Sequence, residues 1–183
     1  MENLSQGLAQ GDPAAFAALY DACAHRVHHY LVVRLGSRED ADDVLQETFV
    51  RLARNRKRLG AVDNVAAYVF TVARNEAARL ARRSRRPGSR RAGCAGRENV
   101  PLAEDLFCEA GDDEVQAREA AESVAKALAG LETPLREIVE LKVYAGLTFR
   151  EIAEVTGLPQ GTAATRYRAA LAKMRTWLVR EQS

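Results

Sequence analysis

Residues 147–175 read LTFREIAEVTGLPQGTAATRYRAALAKMR, and the reading of this stretch decides the fold. Thr148 with Glu151 three residues on is a capping box: the hydroxyl accepts from the third helical N–H, and the carboxylate returns the bond to the cap. Ile152, Ala153 and Val155 give the short helix it opens an apolar face. Gly157 is placed for a left-handed turn, and Leu158-Pro159 leads into a second helix from about Gln160 to Val179. A small residue at Ala153, where two helices cross, with glycine four residues later is the spacing of a helix-turn-helix. The second helix of that motif enters the DNA major groove. Gln160, Thr162, Ala164, Thr165 and Arg168 are expected to face DNA, with Ala163, Tyr167, Ala170, Leu171 and Met174 turned inward. The last 26 residues carry five basic groups against one acidic.

Upstream, Val115, Ala121, Val124, Ala125 and Leu128 fit a helix over 114–129. Thr133-Pro134 opens another that carries Leu135, Ile138, Val139 and Leu141 and stops at Gly146. At the other end of the chain, Asp12 and Pro13 supply an N-cap and a proline at the first helical position. Phe16, Leu19, Tyr20, Cys23, Val27, Tyr30 and Leu31 then recur at helical spacing until Gly36. Ser37 with Asp40 opens the next helix, whose apolar stripe is Ala41, Val44, Leu45, Thr48, Phe49 and Leu52. Asp43, Gln46 and Glu47 share its outer face, and Glu39, Asp40 and Asp42 crowd its first turn, where negative charge suits the helix dipole. After Gly60, Asp63 or Asn64 can cap a third helix built on Val65, Tyr68, Val69, Val72, Ala73 and Leu80. Three helices can share one core.

The far side of that third helix carries Thr71, Arg74, Asn75, Arg79, Arg82 and Arg83 and runs into Arg85, Arg86, Arg90 and Arg91. Phosphate is the natural partner of such a stripe, because guanidinium groups bind it two-pronged and each neutralised phosphate releases a counterion. Charge then segregates sharply: residues 79–98 hold eight basic groups against one acidic, and 99–122 hold one against eight. Blocks this dense repel themselves, and Pro87, Gly88, Gly93, Gly96, Pro101 and Gly111 punctuate them. The expected layout is all-α: a helical domain over 1–83, a charged flexible linker over 84–111, and a second helical domain over 112–183.

Composition agrees. The chain has 183 residues, 47% of them hydrophobic but only 6% aromatic, which favours helices packed through Ala, Leu and Val over a β-sandwich. No apolar run approaches the ~20 residues of a membrane span, and Met1-Glu2-Asn3-Leu4 lacks the layout of a secretion signal, so a cytoplasmic protein without membrane insertion is expected. Cys23, Cys94 and Cys108 form no CxxC pair, so neither a disulfide framework nor a Cys-rich zinc site is expected. His25 and His29, one turn apart, could share a metal with Cys23 or His28, but no HExxH pattern accompanies them, and neither metal nor cofactor is expected. No catalytic constellation is present.

The runs Asp40-Ala41-Asp42-Asp43-Val44-Leu45-Gln46-Glu47-Thr48-Phe49-Val50-Arg51-Leu52, Ala67-Tyr68-Val69-Phe70-Thr71-Val72-Ala73-Arg74-Asn75 and Leu147–Ala153 through Gly161-Thr162 resemble bacterial RNA polymerase sigma factors of the extracytoplasmic-function (ECF) type. The likeness places the family's regions two and four on residues of about 10–85 and 120–180. It implies promoter-specific transcription initiation, usually in a stress response, with core RNA polymerase (β′ and β subunits) and promoter DNA as partners and an anti-sigma protein as regulator. By the same likeness Asp43, Gln46 and Glu47 dock on the β′ coiled coil. Tyr68, Phe70, Thr71, Arg74 and Asn75, with Arg82 and Arg83 beyond, open the −10 element and hold the non-template strand. The loop from Gly60 through Asp63 to Asn64 helps form a pocket for a flipped base. Gln160, Thr162, Thr165, Arg166 and Arg168 contact the −35 duplex, and the tether, acidic over 104–114, follows the polymerase's RNA path. This chain has Ala163, Ala164 and Ala169 where the family often has aliphatic and basic residues, so weak or unusual −35 recognition is expected. Tyr68 or Ala67 stands where a tryptophan is common. The competing reading is a stand-alone helix-turn-helix regulator, which would not need the Asp43-Gln46-Glu47 face.

Overall fold

The computed structural model describes residues 2–84 and 114–181. The charged linker, with Arg85, Arg86, Arg90, Arg91, Cys94, Cys108 and almost all of the acidic stretch, lies outside them. Every regular element among the described residues is helical. The N-terminal half holds α1 (Glu2–Gln10), α2 (Pro13–Leu35), α3 (Arg38–Arg54), α4 (Arg56–Leu59) and α5 (Val65–Ser84). The C-terminal half holds α6 (Glu114–Ala129), α7 (Thr133–Val139), a π-helical turn (Glu140–Tyr144), α8 (Phe149–Thr156) and α9 (Gln160–Glu181).

Local signals set the boundaries. The Asp12 carboxylate accepts from Ala14 N–H at 3.0 Å, Pro13 takes the first helical position, and Gly36 closes α2 at φ 70°. The Ser37 hydroxyl accepts from Asp40 N–H at 3.2 Å to start α3. Of the two residues able to cap α5, Asn64 does so, its side-chain carbonyl accepting from Ala67 N–H at 3.1 Å. The Thr148–Glu151 box is closed in both directions, and Gly157 turns at φ 72°. Loss of such a cap costs about 1 kcal/mol. The segment after α7 departs from α-helix: Ala145 N–H reaches back five residues to the Glu140 carbonyl, at 3.2 Å, and Gly146 follows at φ 62°.

Helix α2 is the spine of the N-terminal half, with α3 and α5 packed along it. Helix α1, absent from the sequence reading, lies on α4, where Leu8 and Leu59 are both fully buried. Two features of the packing are not written in helical periodicity. First, the two halves do not each keep a separate core: one apolar cluster runs from Val27, Tyr30, Leu31, Phe70 and Ala73 to Ile138, Leu141, Ala145, Leu147 and Ile152. A second, smaller cluster joins Leu128, Leu131, Val139, Tyr144, Ala170 and Met174, and Val33 of α2 packs against it. Secondly, Leu171 is exposed rather than turned inward, although α9 packs against α6, α7 and α8.

Candidate polymerase and nucleic-acid interfaces

On α3, the stripe Ala41, Val44, Leu45, Thr48 and Leu52 is buried, which turns Asp43 and Gln46 to the exposed side and leaves Glu47 half-buried. Between α3 and α5 lies an open groove of ≈ 350 Å³ lined by Asp43, Glu47, Glu76, Arg79, Leu80 and Arg83. Its floor is ionic: Arg51 meets the buried Glu76 carboxylate at 2.9 Å, Arg79 approaches the same carboxylate at 3.7 Å, and Glu47 lies 3.7 Å from Arg51. The result is a solvent-facing surface of mixed charge with acceptors at its rim.

Helix α5 divides its predicted contacts. Tyr68 and Thr71 are half-buried, and Asn75, Arg82 and Arg83 are exposed. Thr71 spends its hydroxyl proton on the Ala67 carbonyl at 2.9 Å. Phe70 is fully buried, edge-on to Tyr30 with 6.0 Å between ring centres, and the Arg26 guanidinium lies 5.6 Å from its centre. In this arrangement Tyr68, not Phe70, keeps partial access to solvent. In the loop before α5, Asp63 is exposed, while the Asn64 amide lies 3.5 Å from Glu151 of α8.

Arg74 is held across the two halves. Its Nε and Nη2 donate to the two Glu137 carboxylate oxygens, each at 3.0 Å, the paired geometry in which a guanidinium grips a planar anion. Arg34 of α2 donates to the same carboxylate at 3.1 Å and to Glu140 at 2.8 Å. Arg26 adds two bonds, at 2.9 and 2.7 Å, to the Ala145 carbonyl. Hydrogen bonding to Glu137 raises the Arg74 pKa. Burial opposes the charge of Arg34, but the Glu140 and Glu137 carboxylates outweigh it and its pKa also rises. Burial lifts the Tyr30 phenol far above its ordinary range, and its hydroxyl, beneath this cluster, has no hydrogen-bond partner among the described residues. Tyr144 is pushed up to about 12 by burial and by Glu140. Sequence reading missed Arg26, Arg34, Glu137 and Glu140. The available signal was two carboxylates three residues apart inside the apolar run Ile138, Val139, Leu141.

On α9, Gln160, Thr165 and Arg168 are exposed on the side away from the buried Ala163 and Ala170, while Thr162, Ala164 and Arg166 are half-buried. Behind that helix Tyr167 meets Phe149 edge-on at 5.6 Å, which fixes the angle between α8 and α9. The three histidines of α2 are occupied differently: His28 lies 3.0 Å from Asp42, His29 is edge-on to Tyr144 at 5.4 Å, and the His25 ring lies 6.4 Å from that of His29.

A helix-turn-helix after a helical unit with one acidic and one basic face defines a DNA-binding protein that also presents a surface for something else. Comparison with known families supplies the class: residues 19–87 match Sigma-70 region 2, and 121–174 match Sigma-70, region 4. The chain is 30% identical over 176 residues to the ECF RNA polymerase sigma factor SigL of Mycobacterium tuberculosis, covering 94% of this chain and 93% of that one. It is 28% identical over 176 residues to SigK of Mycobacterium ulcerans, covering 96% and 91%, and 29% identical over 170 residues to RpoE of Cereibacter sphaeroides, covering 90% and 86%. The chain therefore belongs to the ECF RNA polymerase sigma factors, the subunits that direct core polymerase to promoters. The fold is shared with CnrH in its complex with the cytosolic domain of CnrY (TM-score 0.70, 23% identity, 100% and 98% coverage). It is shared also with RpoE bound to the anti-sigma factor NepR from Bartonella quintana (TM-score 0.58, 19% identity, 97% and 98% coverage). A stand-alone regulator is not favoured, since it leaves the region 2 match without a purpose. No helix among the described residues is long and apolar enough to cross a membrane.

Proposed function

We propose that this sigma factor divides its work among three faces. Asp43, Gln46 and Glu47 of α3 dock on the β′ subunit of core polymerase. Tyr68, Thr71, Arg74 and Asn75 of α5, with Arg82 and Arg83 at its end and the Asp63–Asn64 loop at its start, receive the melted −10 strand. Phe70 supports them from beneath rather than stacking on bases. Gln160, Thr165 and Arg168 of α9, flanked by Thr162 and Arg166, meet the −35 duplex. The polymerase-binding and melting functions belong to 1–83, the charged tether to 84–111, and duplex binding to 112–183.

The observation that carries this reading is the pairing of an exposed acidic α3 face with a basic α5 face on one helical scaffold. Carboxylates suit a basic protein surface, and arginines with an aromatic suit single-stranded DNA, whose backbone is anionic and whose bases stack. The chain acts in the cytoplasm and performs no catalysis itself, the polymerase supplying the chemistry. An anti-sigma protein restrains it, as the complexes of CnrH and RpoE suggest.

Transcription in vitro with core polymerase tests the assignment. Asp43→Ala/Gln46→Ala should lose core binding in ultracentrifugation, whereas Arg74→Ala/Asn75→Ala should bind core and fail to open the promoter. Equal transcript from both variants and the intact protein would remove these roles.

A further inference from the structure

We propose a fourth contact surface: Arg54, Arg56, Lys57 and Arg58, at the end of α3 and on α4, grip phosphates of the melted strand where it passes beyond the Gly60–Asn64 loop. This rests on the assignment of that loop and α5 to the strand. Four cations fall within five residues here, and no acidic residue lies between Glu47 and Asp63. All four side chains are exposed, and none has a hydrogen-bond or ion-pair partner among the described residues. Elsewhere in the N-terminal half, by contrast, Arg26, Arg34, Arg51 and Arg74 are each tied to a carbonyl or a carboxylate. Like charges gathered without counter-charge keep their field for a ligand from outside.

Helix capping does not account for the cluster. The α3 macrodipole amounts to about half a charge and calls for one cation. The Arg51 carbonyl at that end is already served twice by Asn55, through its backbone N–H at 3.0 Å and its side-chain amide at 2.9 Å. The packing instead fixes the patch at its base. Leu59 is buried against α1, and a Cβ on Gly60 would meet that of Ala9 at 2.9 Å, so glycine there lets α1 close on the end of α4. At Gly11, with φ 84°, a Cβ would lie 3.0 Å from Nε and 3.1 Å from Cδ of Arg56, so its absence gives that arginine a path over the turn after α1. Helix α1, which supplies no residue to the other three faces, thus braces a single turn that could not hold alone.

The shape of the patch selects its occupant. Successive helical residues turn by about 100°, so Arg56, Lys57 and Arg58 fan over roughly 200°. A flat protein surface meets one or two heads of such a fan. A single strand, with a flexible backbone and a charge at every nucleotide, bends around all of them.

The test uses holoenzyme assembled from the full chain and core polymerase, with a short fluorescein-labelled A/T-rich single-stranded DNA as probe and core polymerase alone as blank. Anisotropy titrations at several salt concentrations give the slope of log affinity against log salt. Arg56→Gln/Lys57→Gln/Arg58→Gln, checked for helix content by circular dichroism, should make that slope shallower by about two, since each phosphate contact on a single strand contributes about 0.7. A fourfold rise in salt then costs the intact protein roughly fifteen times more affinity than the variant. Arg56→Lys/Arg58→Lys, which keeps the charge, should keep the slope. Lys126→Gln/Arg175→Gln/Arg180→Gln, which removes as many exposed cations from the C-terminal half, should leave it unchanged. An unchanged slope in the first variant, or an equal loss in the last, would overturn the proposal. So would weaker core binding in ultracentrifugation with the slope intact, which would make an acidic polymerase surface the occupant. Arg74→Ala/Asn75→Ala separates the two readings. If it loses affinity while the first variant keeps its slope, the α5 assignment stands and the patch is removed. If it binds the strand normally while the first variant loses slope, the α5 assignment fails, and with it the claim that helix and patch hold one strand.

Discussion

Helices α3 and α5 lie side by side on the same spine, yet their charged faces meet opposite fates. On α3, Asp43 and Gln46 point into solvent; on α5, Arg74 is clasped by a carboxylate from a helix 63 residues away in sequence. Neither outcome follows from composition, since both faces are stripes of charge opposite an apolar stripe. What separates them is the geometry of the partner half: α8 and the turn after α7 descend on α5 and α2 and leave α3 clear. One scaffold thereby leaves open the α3 face proposed for polymerase docking while it engages Arg74 of the α5 face proposed for the single strand.

The contrast can be broken most severely at Phe70. Phe70→Ala should cost about 3–5 kcal/mol in urea denaturation, because the ring is fully buried against Tyr30, and the lost contacts leave a cavity. Tyr68→Ala, two residues away and half-buried, should cost far less, about 1 kcal/mol, but impair promoter opening. Comparable stability losses for the two would contradict the division between a supporting and a contacting ring. Next in size, Asp43→Ala/Gln46→Ala should weaken core-polymerase affinity on the order of tenfold or more, as truncation of an interface anchor does, and leave single-strand affinity unchanged. A parallel loss of DNA binding would mean that the two faces are not independent. In the C-terminal half, Gly157→Ala forces a side chain into the left-handed region at φ 72°, and Thr148→Ala removes a cap. Each should lower thermal stability by about 1 kcal/mol without altering the α3 face. The smallest effect is expected at Arg168→Ala, which should reduce the salt slope of duplex binding by about one and weaken binding uniformly across sequences if this side chain meets phosphate rather than a base. A change of sequence preference would reassign Arg168 to base reading.

Much of the fold was legible because its signals are local. Asp12-Pro13, Ser37, Thr148 with Glu151, and the glycines at 36, 146 and 157 each act within a turn of themselves, so the helix ends fell where these residues place them. Helix α1 was not legible, having only nine residues and an apolar content that makes sense only once Leu8 meets Leu59. The ion cluster was hidden for a different reason: Arg34 and Glu140 are 106 residues apart, and nothing in either stretch announces the other. Phe70 shows the limit of motif reading at a site. Its helical position marks it equally well as a stacking ring or a core ring, and only the presence of Tyr30 and Arg26 around it decides. Leu171 fails in the reverse sense, an apolar residue on the inward period of a helix that nothing covers there.

The π-helical turn at Glu140–Tyr144 sets the phase of everything downstream of it. Each residue of an α-helix advances the chain by about 100°, so the single extra residue accommodated in this turn decides which way Ala145, Gly146 and the start of α8 point. Excising one residue from the turn would let the helix run on in ordinary register, swing the Ala145 carbonyl off Arg26, and re-aim the helices that follow by roughly a quarter of a revolution. The bearing of one half on the other is thus stored in five residues, as the tooth of a gear stores the timing of a shaft.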